Sequence, residues 1–144
     1  MQSTFDFPWV RLINPQPEEV AEGRLVLAHE PEALHLNHNG DINAAVLFSL
    51  AEMAGMGVVV TTLGEQASQA YVVIKRGVID FRGRARGRIR AAAHLSAEQL
   101  ERVRAAAGKG VGIEEVVGVE IRDATDRVVA TSTVTAVIRP RRQP

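Results

Sequence analysis

One carboxylate stands apart from every other charged group in this chain. Glu52 is the only charged residue between Asp41 and Glu65, and it interrupts the apolar run from Ala44 to Val60. A carboxylate taken out of water is costly unless it is paired or hydrogen-bonded. Two readings of its position are open. Either the run is a helix with one exposed edge along which Glu52 points outward, or Glu52 is a catalytic carboxylate whose desolvation raises its proton affinity into a range useful for general-base chemistry. The preceding loop, His35-Leu36-Asn37-His38-Asn39-Gly40-Asp41, is polar and delivers the chain to a helix start at Asn43-Ala44-Ala45. Backbone N–H groups at such a start are unpaired and carry the positive end of the helix dipole. They suit the oxyanion formed at a thioester or ester carbonyl. Ala44 and Glu52 are eight residues apart, about 12 Å along a helix. A single helix cannot bring both to one small group. If the pair is catalytic, Glu52 comes from a second subunit, and the site lies across a dimer interface.

Arg82, Arg84, Arg86, Arg88 and Arg90 recur at every second position. In an extended chain they project to one side, with Phe81, Ala85, Ile89 and Ala91 on the other. They form either a solvated sheet face or edge that resists edge-to-edge association, or a phosphate-gripping rim for the nucleotide end of coenzyme A. In the second reading Arg82, Arg84 and Arg86 are substrate-binding residues. His35 and His38 have i, i+3 spacing but lie in a loop without a matching carboxylate. No metal site is therefore expected, and His38 is read as a loop group assisting substrate. Ser49 has no histidine near it in sequence and no Gly-x-Ser-x-Gly frame, which argues against a serine triad. Gly108 to Gly112 follows a helix instead of opening one, unlike a phosphate loop.

The elements that must position these groups follow from the hydrophobic pattern. Residues 1–20 contain Pro8, Pro15 and Pro17 and read as an N-terminal arm with a short helix around Phe7 to Ile13. A strand from Glu22 to His29 ends at Pro31. A helix over about Asn43 to Leu63 closes at Gly64. Tyr71 to Phe81 and Arg84 to Leu95 read as strands joined through Gly83 and Gly87. Ser96 opens an amphipathic helix with Gln99 at capping-box spacing and an apolar stripe of Leu100 and Val103. Ile113 to Arg122 and Arg127 to Ile138 are two more strands about the turn Asp123 to Asp126, and residues 139–144 form a tail. A helix apolar nearly all round must be covered. The expected architecture is therefore α+β, an antiparallel sheet wrapped around a long central helix, in one domain spanning residues 1–144.

Composition narrows the function classes. The chain has 144 residues, 46% hydrophobic and 24% charged, with 17 basic and 17 acidic side chains and formal net charge zero. That is one domain's length, and it lacks the basic excess of a nucleic-acid binder. With no cysteine, disulfides, thiolate metal sites and a cysteine nucleophile are excluded. The start lacks a basic segment followed by an apolar one, and the apolar run carries Glu52 near its centre, where a membrane span would not tolerate it cheaply. The expectation is a cytoplasmic protein without a membrane or nucleic-acid partner.

The segment Asn37 to Ala54, NHNGDINAAVLFSLAEMA, resembles the signature of hotdog-fold thioesterases, nearest to the phenylacetate-pathway (PaaI-like) acyl-CoA thioesterases and a related thioesterase-like group. Phe81 to Ala91 is similar to the same family's strand–loop–strand segment, and the likeness spans roughly Glu22 to Ile138. The resemblance implies a hotdog fold, an acyl-CoA substrate and a homodimer or dimer of dimers. It implies no cofactor beyond the coenzyme A of the substrate. It also implies that Glu52 is general base or nucleophile, that the Ala44 N–H contributes to the oxyanion hole, that Asn37 positions water or the carbonyl, and that Gly40 is a turn glycine. Asn43-Ala44-Ala45 stands where the family has His-Gly-Gly, which adds Asn43 and Ala45 to the expected site. No serine or threonine matches the one that orients water in some members, and the helix from Ser96 to Ala107 is an addition. The alternative function is non-catalytic acyl-CoA or acyl-carrier binding, or a structural hotdog dimer.

Overall fold

The computed structural model describes residues 6–141. Among them are three α-helices, α1 (Pro8–Ile13), α2 (Ala44–Leu63) and α3 (Ala97–Lys109). Six strands accompany them, β1 (Gln16–Ala21), β2 (Arg24–His29), β3 (Ala70–Phe81), β4 (Ile89–His94), β5 (Ile113–Asp123) and β6 (Val128–Pro140). The strands form one sheet in the order β1-β2-β4-β5-β6-β3, and every neighbouring pair is antiparallel. The sheet curls around α2, which packs against β2, β3, β4, β5 and β6. This is the hotdog arrangement. Alternation along β5 shows why: Val117, Val119 and Ile121 are buried under α2, while Val116, Gly118 and Glu120 face away. Leu50, Ala54 and Val58 of α2 close the core from the other side. By length and composition α2 could cross a bilayer, but 61% of its most apolar window is buried. It is a core helix.

Gly55 explains how the helix comes so close to the sheet. A Cβ there would lie 2.1 Å from Cγ2 of Val134 on β6, and a β-branched valine has little rotamer freedom to move aside. In an unobstructed helix Gly→Ala gains about 1 kcal/mol. Here overpacking outweighs that gain, and Gly55→Ala is expected to lose about 1–3 kcal/mol net, measured by urea unfolding.

The structure departs from the sequence expectations at three places. The expected arm contains α1 as anticipated, but also β1, an edge strand hidden by its prolines. Pro17 is tolerated because an edge strand needs no N–H on its open side, and the register slips between Pro17 and Glu19. The expected strand Arg84 to Leu95 begins only at Ile89. β3 and β4 are not neighbours, so residues 82–88 must cross from the open edge of the sheet to its interior, and a crossing segment cannot keep a ladder. The expected tail is partly strand: Ala70 pairs with Pro140, and the Arg141 N–H donates to the Gln69 carbonyl at 2.8 Å. Residues 1–5 of the arm and 142–144 of the tail lie outside the described residues.

Helix α3 is firmly seated. Its capping box between Ser96 and Gln99 is complete, and Val103 and Ala106 are buried. Arg102 donates through Nε (2.5 Å) and Nη2 (3.0 Å) to the buried carboxylate of Glu115 on β5, to which Gln99 also donates. Arg102 thereby holds the Glu115 carboxyl below the usual carboxylate range.

Candidate active site

The polar loop is built to deliver a helix start. The Asn37 side-chain oxygen accepts from the N–H groups of Asn39 (2.9 Å) and Asp41 (3.2 Å), while the Asn37 N–H donates to the Asp41 carbonyl at 2.7 Å. Gly40 sits at φ +74°, a left-handed conformation open to glycine without penalty. Ile42 donates its N–H to the Ala85 carbonyl and Asn43 to the His35 carbonyl, both at 2.8 Å. Asn43 then caps α2, its side-chain oxygen accepting from the Ala45 N–H at 2.9 Å. Of the two expected oxyanion donors, one is therefore already occupied. The Ala44 N–H has no acceptor among the described residues. Asn43 acts here as a cap, and Asn37 as the loop's internal brace.

In front of Ala44 lies a cavity of about 410 Å³, lined by Asn37, Ala44, Leu47, Phe81, Arg82 and Arg84 among others. Four of these were legible beforehand; Leu47 and Phe81 were not assigned to the site. His38 and Arg86 do not line the cavity. His38 is exposed, and among the described residues it makes no hydrogen bond. A larger cavity of about 530 Å³ involves Gln66, Gln69, Ala107, Arg139 and Arg141 at the other end of α2. It contains none of the expected site residues.

The arginine series does not form a common rim. Because residues 82–88 are irregular, the side chains diverge and fall to three different acceptors. Arg84 and Arg86 both donate to Asp41. Arg90 and Arg88 both donate to Glu18 on β1, and hold its carboxyl down at about 2. Arg82 donates only to the Thr131 hydroxyl, at 3.2 Å. It is the member of the series with no carboxylate partner among the described residues. Of the phosphate rim expected from alternate spacing, Arg82 alone is left without a carboxylate partner among the described residues.

Glu52 lies two turns along α2 from the free N–H. It is half-buried and makes no hydrogen bond or ion pair among the described residues. Burial alone pushes its carboxyl above the ordinary carboxylate value. Val46, Leu50 and Met53 are buried in the core. The open stripe is Phe48, Glu52, Met56 and Val60, spaced four apart on the side of α2 that its own sheet leaves uncovered. The Phe48 ring reaches β3, where a Cβ on Gly77 would meet it at 2.7 Å. β3 closes one side of the sheet and pairs only with β6. The carboxylate therefore sits in an apolar stripe beside a free strand edge. That stripe was invisible in sequence because α2 is apolar on every face.

The two histidines of the β2 and loop segments are structural. His29 is fully buried and donates from Nδ1 to the Ile13 carbonyl at 2.7 Å. His35 donates from Nε2 to the Leu12 carbonyl (2.7 Å) and accepts the Glu32 N–H at Nδ1 (2.9 Å). Both ring nitrogens of His35 are used, so none is left to share with His38. Ser49 donates to the Ala45 carbonyl, a helical back-bond and no nucleophile arrangement.

A family model described as a domain of unknown function, DUF4442, matches residues 2–138. No curated protein matches the chain. Among solved structures, PA5026 of Pseudomonas aeruginosa, described as a protein of unknown function and "Probable Thioesterase", is 27% identical, with 94% of this chain and 89% of that one covered at a TM-score of 0.80. AziG of S. sahachiroi is 23% identical, with 94% and 98% covered at 0.74. A mutant of the thioesterase enzyme SAV0944 of Staphylococcus aureus is 13% identical, with 93% and 100% covered at 0.76. The last two likenesses show the fold alone.

Proposed function

The chain belongs to the DUF4442 family and is a thioesterase-like hotdog protein, and from that premise we propose that it hydrolyses an acyl-CoA thioester to the free acid and coenzyme A. The observation that carries the reading is Glu52: a half-buried carboxylate without a partner among the described residues, raised in proton affinity, in an apolar stripe beside an unpaired strand edge. Pairing two copies along β3 would cover both exposed edges and place each open stripe against the other subunit. The acyl thioester would lie between subunits, its carbonyl oxygen at the Ala44 N–H of one and its carbon near Glu52 of the other. Glu52 takes a proton from water as the water oxygen bonds to the thioester carbon. The oxyanion is held at Ala44. Collapse breaks the C–S bond, and the departing sulfur takes the proton back from Glu52. In the covalent variant the Glu52 carboxylate bonds to the thioester carbon, the C–S bond breaks, and water then hydrolyses the mixed anhydride, freeing the acid and Glu52 and supplying the proton that the thiolate takes. The resemblance to PA5026 supports the reading, as does the helix motif. A cytoplasmic location fits a coenzyme A thioester substrate.

The occupied Ala45 N–H favours one rival, non-catalytic binding of acyl-CoA or an acyl carrier, because a single free donor stabilises an oxyanion less than two. A panel of aryl and fatty acyl-CoA thioesters followed with a thiol reagent separates the two. The protein has no cysteine to interfere. Thiol release above the uncatalysed rate is expected; saturable binding with no release would establish the rival.

A further inference from the structure

Asp41 stands two residues before the cap of α2, directly after the exposed His38, Asn39 and Gly40, yet its side chain is only 13% exposed. Two arginines cover it. Arg84 donates from Nε to Oδ2 at 2.9 Å, and Arg86 from Nε to Oδ1 at 2.5 Å. The same two guanidinium groups reach the Asn39 carbonyl with longer bonds, 3.5 and 3.4 Å. Between them Ala85 is buried, and its carbonyl accepts the Ile42 N–H. Residues 39–42 and 84–86 are thus joined by five hydrogen bonds just ahead of the helix start. The crossing segment is anchored in turn: Arg127 donates from Nη2 to the Arg84 carbonyl at 2.8 Å and pairs with Asp123 in the β5–β6 turn.

We propose that Asp41 is a positioning residue: by bridging Arg84 and Arg86 it holds the start of α2 so that the Ala44 N–H faces the cavity, and it withdraws both guanidinium groups from substrate binding. A carboxylate suits this role because each oxygen serves one arginine. Asparagine would keep one acceptor and turn an NH2 donor toward the other guanidinium. The helix start would then keep one arginine on the side chain, the two long contacts to the Asn39 carbonyl and the Ile42–Ala85 backbone bond, and would lose the two-armed bridge. The rival assignment makes Arg84 and Arg86 direct ligands of substrate phosphate, with Asp41 a resting counter-ion.

The kinetic consequence rests on the thioesterase reading; the geometry does not. In Asp41→Asn, kcat for acyl-CoA thioesters falls about tenfold or more at unchanged KM, since a small misplacement of an oriented donor acts on the transition state. Asp41→Glu restores part of it. Arg84→Gln with Arg86→Gln gives the same kcat loss, and combining it with Asp41→Asn adds little. The assignment is overturned if the arginine variants raise KM in a salt-dependent way while kcat stands, or if Asp41→Asn changes neither parameter. Amide hydrogen exchange decides the matter even if the wild-type protein releases no thiol, which would count against the thioesterase reading alone. Acceleration in Asp41→Asn confined to residues 37–45 supports the clamp. Acceleration spread evenly along α2, or none, overturns it.

Discussion

Glu52→Gln lowers acyl-thioester hydrolysis by about 10² or more while the protein stays folded. The amide keeps the shape of the carboxyl group and still fits the stripe between Phe48 and Met56, but it cannot take a proton from water. Two further signatures distinguish loss of a base from loss of packing. In the wild-type protein the acid limb of the kcat/KM profile lies above the ordinary carboxylate value of 4.5, because burial raises Glu52. Activity rises with pH through that limb, and the limb is absent from whatever residual activity Glu52→Gln retains. Stability moves the other way. A carboxyl whose affinity for protons is raised by folding stabilises the fold least once it ionises, so removing the charge leaves the neutral-pH stability equal or higher. Wild-type turnover in Glu52→Gln, with the limb in place, would remove Glu52 from the mechanism.

Acid loosens the attachment of α1, and His29 is the group responsible. Its Nδ1–H donates to the Ile13 carbonyl, and its Nε2 is buried without a partner. Burial, followed by the neighbouring His35 ring at 4.6 Å, pushes the His29 pKa below its ordinary value, against the opposing pull of the Ile13 carbonyl, Glu30 and Glu32. The sign follows from linkage. Above about 6.5, the ordinary histidine value, both folded and unfolded chains hold His29 neutral, and its contribution is complete. As pH falls below that value the unfolded chain takes a proton that the folded site resists, and stability declines by up to about 1.4 kcal/mol per pH unit until the folded site also titrates. Other groups titrate in acid, including Glu52 with the opposite slope, so the readout is the difference between wild type and His29→Gln. Urea unfolding from pH 8 to 5 should show that difference shrinking as the solution becomes acid. A difference independent of pH would show that His29 is not held neutral by the fold.

Much of this molecule can be read without coordinates, and the reasons are local. Helix α2 announces itself by length, by Asn43 at its start and by Gly64 at its end. Helix α3 is legible from Ser96 and Gln99, and β5 from strict alternation. Such signals depend on propensity, capping and period, which act over a few residues. The unusual position of Glu52 is equally local, because one charge in an apolar helix is conspicuous wherever the helix lies.

What the tertiary structure alone decided is the company these groups keep. The five arginines look like one stripe because spacing is the only information a sequence offers. Once β3 and β4 are separated by two other strands, the segment between them has to cross. Its arginines then fall to Asp41, Glu18 and Thr131, acceptors 45 or more positions away for Arg82 and Arg86 in separate directions or on different elements. Pro17 masked β1 because only an edge position excuses its missing N–H, and edge positions are assigned by sheet order. Likewise, the uncovered face of α2 depends on where the sheet stops curling. The sequence by itself determined the helix, its carboxylate and the thioesterase-like character of the motif. The local Asn43 cap leaves the Ala44 N–H free, and long-range pairing determined that Asp41 binds two arginines and that Glu52 looks out beside an open strand edge.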